Sequence, residues 1–259
     1  MRDDSRHRPA SPPVKNTRAD ITTGAALKYA VSMTPAPYPL PRKVHPRRNL
    51  REEVAESLRN GILTGEFKPG SRIDLGTVAD EWGVSPLPVR EALIALESEG
   101  LVKSYPRRGH YVQALQPEDI IDHYEIFGRV AGMAAARAAK SLSSEQIHEL
   151  ESINEAMRAG EDPREQEDFN FQFHKIINST GSSRRLISVI RILSKTMSLR
   201  FSEIVPGWEQ RATDEHDEIL DALRQGDAEA ARTAMEKHLS VNGVRAAEAL
   251  QRVNFFPEV

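Results

Sequence analysis

Glycine and proline punctuation rules out long elements over the first ordered stretch of this chain. Between Asn49 and Val112 stand Gly65, Pro69, Gly70, Gly83, Pro86, Pro88, Gly100, Pro106 and Gly109, so no helix there runs beyond about four turns. The apolar residues between these marks fall at helical spacing in three runs. Asn49 followed by Glu52 reads as a capping box, and Leu50, Val54, Leu58 and Ile62 carry a first helix to about Thr64. Arg72-Ile73-Asp74 is a short extended piece. Asp74 then caps a second helix with Leu75, Val78, Ala79 and Trp82 inward, and Gly83 ends it in the left-handed position expected after a helix. Ser85 caps a third, whose first turn holds Pro86 and Pro88, where a missing amide hydrogen costs nothing. Gly100 closes it. Leu101–Tyr105 and His110–Val112 read as two strands joined through Pro106-Arg107-Arg108-Gly109.

Three short helices and a hairpin form the winged helix-turn-helix arrangement. On the third helix Val89, Ala92, Leu93 and Leu96 turn to the core, leaving Ser85, Leu87, Arg90, Glu91 and Ile94 outward. A helix entering the major groove leads with its N-terminal turn, which places Ser85, Leu87 and Arg90 at the DNA end. Arg90 suits either a guanine edge or a phosphate. Arg107 and Arg108 occupy the hairpin tip, where a wing reaches an adjacent groove, and Gly109 permits the bend. The same three-helix unit also serves as a protein–protein module, and a lone arginine on a helix is commonly a solvated residue.

From Pro117 the pattern is helical only, with segments expected at 117–140, 144–159, 164–179, 182–205, 207–225 and 228–250. The fold class is therefore mainly α, a winged head followed by an all-helical bundle, divided as 1–48, 49–113 and 114–259. Segment 182–205 is apolar on nearly every side (Leu186, Ile187, Val189, Ile190, Ile192, Leu193, Met197, Leu199, Phe201) and is expected to be the central helix. Residues 1–48 hold 10 Lys/Arg against 3 Asp/Glu and eight prolines, the composition of a disordered arm: a DNA-touching polybasic tail or simply a solvated one. The rear 114–259 is acidic, 25 carboxylates against 17 cations. With no cysteine, thiolate metal sites and disulfides are excluded. No segment has the length of a membrane span and no secretory leader is apparent, which points to the cytoplasm.

Three of the eight histidines fall in a suggestive pattern. Asn170 and His174 are i, i+4 neighbours, on one face of a helix. His216 lies ten residues before Gly226 and His238 twelve after it. In a helix hairpin turning at Gly226-Asp227 those spacings, roughly 15 and 18 Å, bring the two rings nearly level. A third helix that brings Asn170 and His174 alongside completes three imidazoles and an amide oxygen, a set suited to Zn²⁺, Ni²⁺, Co²⁺ or Mn²⁺. Unrelated surface histidines are the alternative on spacing alone.

Residues 49–113 resemble the DNA-binding domain of the GntR family of bacterial transcription regulators. The run Gly83-Val84-Ser85-Pro86-Leu87-Pro88-Val89-Arg90-Glu91-Ala92-Leu93, continued by Leu96 and Gly100-Leu101-Val102, carries the likeness. Two departures stand out: Pro86 where the family usually has arginine after the serine, and Gly76 where many members carry an arginine in the second helix. The resemblance implies DNA contact by Arg90 and the wing, with Arg51 and Arg72 as candidates to replace the lost phosphate contacts. Residues 117–250 are similar to the FCD class of effector domains, whose metal-binding members carry D-x-x-F-H and two later histidines. Asn170, His174, His216 and His238 occupy those places, with asparagine for aspartate. The class implies a small carboxylate metabolite beside the metal, with Arg129 the first candidate to bind it, then Arg191 and Arg200; each arginine equally suits a structural ion pair. The expectation is a ligand-responsive repressor that reads a palindromic double-stranded DNA operator as a homodimer. The rival is an enzyme whose His-held metal activates water, with Glu215 and Asp217 as bases, although these flanking carboxylates are expected on a solvated helix face.

Overall fold

The computed structural model describes residues 50–197 and 199–256; the basic arm and the Asn49 cap lie outside them. The head comprises α1 (Leu50–Leu63), β1 (Arg72–Ile73), α2 (Leu75–Trp82), α3 (Pro86–Ser98), β2 (Val102–Tyr105) and β3 (Gly109–Val112). Asp74 caps α2 by accepting from the Thr77 amide, and Gly83 terminates it at φ 64°, ψ 33°. The amphipathic spacing of α1 and α3 explains the core between them: Val54 and Leu58 meet a layer of Val89, Ala92, Leu93 and Leu96, all fully buried. Burying those six side chains supplies most of the drive to hold three helices too short to persist alone. A two-pronged ion pair closes this core, Arg59 Nη2 and Nε donating to the Glu99 carboxylate at 2.7 and 2.8 Å, both groups largely buried.

The sheet has three strands in the order β1-β3-β2, all antiparallel. Arg72-Ile73, read in the sequence as an isolated extended piece, pairs with Tyr111 and His110. A two-residue strand gives too little alternation to mark it as part of a sheet.

The bundle comprises α4 (Pro117–Ala138), α5 (Ser144–Ala159), α6 (Pro163–Ser179), α7 (Arg184–Thr196), α8 (Phe201–Ile204), α9 (Trp208–Arg224) and α10 (Ala228–Arg252). Its longest helices, α4 and α10, lie in close apposition because glycines remove the side chains that would separate them. A Cβ on Gly128 would stand 3.1 Å from the Glu236 carbonyl, one on Gly132 2.7 Å from Glu236 Cγ, and one on Gly243 2.5 Å from Tyr124 Cβ.

The expected single helix 182–205 is corrected to two pieces, α7 and α8. Met197 leaves helical geometry at φ −125°, ψ 55°. Its carbonyl accepts from the Tyr124 hydroxyl at 2.9 Å and from the Leu199 amide at 2.9 Å, partners that replace the helical ladder. Nor is α7 central: Leu186 and Ile190 are buried while Ile192 is exposed. Apolar residues all round do not make a core helix when the centre is already filled by the glycine-seamed pair. Among the described residues no helix is long and apolar enough to cross a membrane.

Candidate functional site

The head offers an outward-facing surface. Ser85 caps α3 without using its hydroxyl on the backbone, and Ser85, Leu87 and Arg90 are exposed on the face opposite the core. Arg90 enters no ion pair among the described residues. At the wing, the Arg108 amide donates to the Tyr105 carbonyl at 3.0 Å, closing a turn in which Arg107 takes φ 62° and Gly109 φ 95°. A left-handed conformation strains an arginine; the turn holds its side chain outward at the tip beside Arg108. Arg72 lies along the hairpin: a Cβ on Gly109 would meet Arg72 Nε at 3.2 Å, and the guanidinium pairs with Asp74 at 3.5 Å. Arg51 is exposed on the first turn of α1.

Sequence reasoning missed the contacts that fix the wing against α3. Glu97 accepts from the Ser104 amide at 2.9 Å and the Ser104 hydroxyl at 2.7 Å, and Ser104 Oγ stands 2.8 Å from His110 Nδ1. These hydrogen bonds hold the Glu97 carboxyl below its ordinary pKa. They span residues 97 to 110, too far apart for any local pattern to announce them.

The bundle's candidate site faces inward. His174 on α6, His216 on α9 and His238 on α10 bring one ring nitrogen each within 4.8 Å of one another. His238 Nε2 and His174 Nε2 are 3.2 Å apart. The other nitrogens of two rings are engaged from behind: His216 Nδ1 donates to Asn154 Oδ1 at 3.0 Å, and His238 Nδ1 donates to Glu215 at 2.8 Å. Those bonds leave Nε2 of each ring as a lone-pair donor aimed at the common centre. His216 is further fixed by stacking on Phe173, centroids 4.0 Å apart and planes 11° from parallel.

Two buried atoms there have no partner among the described residues, His216 Nε2 and Asn170 Oδ1. Asn170 precedes His174 by one turn of α6 and lines the same cavity. Electrostatics also prepare the set. Burial, with His238 beside it, pushes His174 down to about 3. Burial foremost, then His238 and His174, likewise holds His216 far below an ordinary imidazole. Both rings are therefore neutral near pH 7, the protonation state a metal ligand requires.

Glu215, expected on a solvated face, is corrected to a buried supporting role. Burial works against its charge, but hydrogen bonds from His238 and from Arg245, the latter at 2.7 Å, outweigh that penalty and hold its pKa low. Asp217 instead accepts from Asn154 at 2.8 Å and from Arg158 at 2.6 Å. Consecutive residues on a helix diverge by about 100°, so flanking His216 in sequence says nothing about sharing its direction.

A cavity of about 410 Å³ opens beside the histidines. Asn170, His174 and Asn178, one turn apart on α6, form a polar edge, Ile187, Ile190 and Leu193 of α7 an apolar one, and His123, Tyr124, Glu167, Lys175 and Asn242 are among its other polar groups. Burial raises the Glu167 pKa against a 2.9 Å bond from the Ser202 amide. Of the three arginines expected to hold a carboxylate, Arg191 lines this cavity. Arg129 does not. It projects from the outer face of α4, paired with Glu236 at 2.6 Å and Glu125 at 3.5 Å, because the small residues around it face α10 and leave position 129 outside. Arg200 begins α8 and pairs with Glu203 at 2.9 Å. His123, Glu167 and Asn178 were missed, since their convergence depends on how α4, α6 and α7 pack.

A winged helix-turn-helix head with outward-facing arginines, joined to a helical bundle that encloses a cavity with a polar edge, defines a class of DNA-binding protein. Comparisons with known proteins agree. The description "Bacterial regulatory proteins, gntR family" matches residues 50–112 and the FCD domain matches residues 122–241. An HTH-type transcriptional regulator from an unstable DNA locus of Streptomyces ambofaciens is 30% identical over 199 residues, covering 74% of this chain and 83% of that protein. The HTH-type transcriptional repressor RspR of Escherichia coli K12 is 25% identical, with 76% and 89% covered. The crystal structure of a putative transcriptional regulator GntR from Rhodococcus sp. RHA1 superposes with a TM-score of 0.54 at 27% identity, over 78% of this chain and 97% of that one. The chain belongs to the gntR family of bacterial transcriptional regulators and carries an FCD ligand-binding domain. It is a DNA-binding regulator and not an enzyme, so the metal-hydrolase reading is set aside.

Proposed function

We propose that the protein is a metal-dependent, metabolite-sensing repressor that binds a palindromic operator as a homodimer in the cytoplasm. The observation that carries this is the convergence of His174, His216 and His238, two of them fixed from behind, with His216 Nε2 and Asn170 Oδ1 buried and unpartnered. Leaving two such atoms unpaired is costly, and one divalent cation among Zn²⁺, Ni²⁺, Co²⁺ and Mn²⁺ satisfies both. Three imidazole ligands and an amide bring no negative charge to balance the ion, which favours an anionic ligand. When bound, the ion supplies open positions for a carboxylate. Arg191, which lines the cavity together with Lys175, is placed to pair with the same ligand, and Ile187, Ile190 and Leu193 exclude water from its apolar part.

Dimerisation follows from the head, because one recognition helix covers a single half-site. A ligand that prefers one spacing of the two heads shifts the operator affinity. The Escherichia coli relative RspR is named a transcriptional repressor, and we extend that role to this chain. The test is metal analysis of protein purified without chelator, followed by gel shift on the DNA upstream of its own gene with and without added metal and candidate carboxylates. Near-stoichiometric metal that is lost in His174→Ala, His216→Ala and His238→Ala is expected. Equal metal content in all three variants would remove the site.

A further inference from the structure

The tip of α3 is built of hydrocarbon. Its first turn reads Pro86-Leu87-Pro88, so two of the backbone N–H groups that a helix N-terminus ordinarily offers to phosphate are absent. Leu87 is 61% exposed, the side chain standing free between two rigid rings, and Ile94, 53% exposed, continues the same face two turns later. Leu87, Arg90 and Ile94 are spaced i, i+3, i+7, while every side chain of the opposite face is sealed in the core. A surface leucine needs no explanation by itself; one that leads a recognition helix next to an arginine with no ion pair among the described residues does. The apolar group that base edges present in the major groove is the thymine C5-methyl.

We infer that Leu87 is a specificity-determining residue, reading a thymine methyl in each operator half-site by apolar contact, adjacent to the base pair or phosphate held by Arg90. A polar side chain at this place would discriminate by hydrogen bonds. The Pro-Leu-Pro tip offers none, so its contribution is carried by methyl burial and shape. The operator is accordingly expected to hold a conserved thymine at the position facing the helix tip.

The experiment begins with in vitro selection of a binding site from a randomised duplex library using the full chain. Each thymine of the selected duplex is then replaced singly by deoxyuridine, which deletes the methyl and nothing else. Affinities are measured for the wild type, Leu87→Ala, Leu87→Met and Arg90→Ala at one reduced salt concentration, where phosphate contacts keep weak variants measurable. One thymine per half-site is expected to show a penalty of about fourfold on methyl loss, the factor for burying one such carbon. That penalty persists in Leu87→Met and Arg90→Ala and disappears in Leu87→Ala, although Arg90→Ala binds more weakly overall. A wild type indifferent to every deoxyuridine, or a penalty of equal size in Leu87→Ala, overturns the assignment. Leu87 is exposed and off the core, so equal thermal midpoints of the wild type and both Leu87 variants are expected alongside.

Discussion

The two halves of this regulator place their working side chains in opposite ways. The head turns Leu87, Arg90, Arg107 and Arg108 outward and keeps behind them an apolar core closed by the Arg59–Glu99 pair. The bundle turns His174, His216, His238 and Asn170 inward and leaves ordinary ion pairs such as Arg129–Glu236 on its outside. Outward groups are supported by local structure, one helix and one turn. Inward groups depend on three helices arriving together, and they carry the price of burial until something binds. Changes in the head should therefore separate folding from function cleanly, whereas changes in the bundle should not.

The largest effect tests the buried ion pair of the head. Arg59→Ala abandons a buried Glu99 carboxylate and is expected to cost about 3–5 kcal/mol of unfolding free energy, measurable by urea titration; a loss under 1 kcal/mol would mean that water reaches the pair. Next comes the bundle. His216→Ala is expected to weaken metal binding by more than the ~10–100-fold that follows loss of an outer partner, with Asn154→Leu falling inside that range; isothermal titration distinguishes the two. Acid probes the same rings. With His174 and His216 depressed in the folded state, the metal-free protein binds fewer protons folded than unfolded below pH ~6.5, so stability is full above that value and declines steadily toward pH ~3. A thermal midpoint flat between pH 7 and 5 contradicts it.

Arg90→Ala is expected to cost about 1–3 kcal/mol of operator affinity with metal content unchanged, which is the sharpest form of the contrast between the halves. The smallest effect lies where they touch. Lys195 on α7 donates to Glu52 on α1 at 3.0 Å in the open, and Lys195→Ala should change stability by less than about 1 kcal/mol. A larger change in how ligand affects DNA binding would show that this contact couples the cavity wall to the head.

The head was legible in the sequence because its signals are local. Gly83 at a helix end, Ser85 before two prolines and alternating strand residues each encode geometry within a few positions. The histidine set was legible in part: hairpin spacing about Gly226 brought His216 and His238 level, and the turn spacing paired Asn170 with His174. What failed needed packing. The direction of Arg129 follows from which side of α4 meets α10, the burial of Glu215 from where Arg245 sits, and the break at Met197 from a hydroxyl 73 residues earlier in the chain.

That hydroxyl belongs to Tyr124, whose Cβ occupies the space a methyl at Gly243 would need. The missing methyl lets the tyrosine sit low enough to reach Met197, and the bend it enforces divides α7 from α8 along one wall of the chamber. The room available to a metabolite is thus set by a seam between two other helices. Under the proposed function, a guest that swells the chamber is expected to strain that seam, which ties ligand size to the packing of α4 on α10.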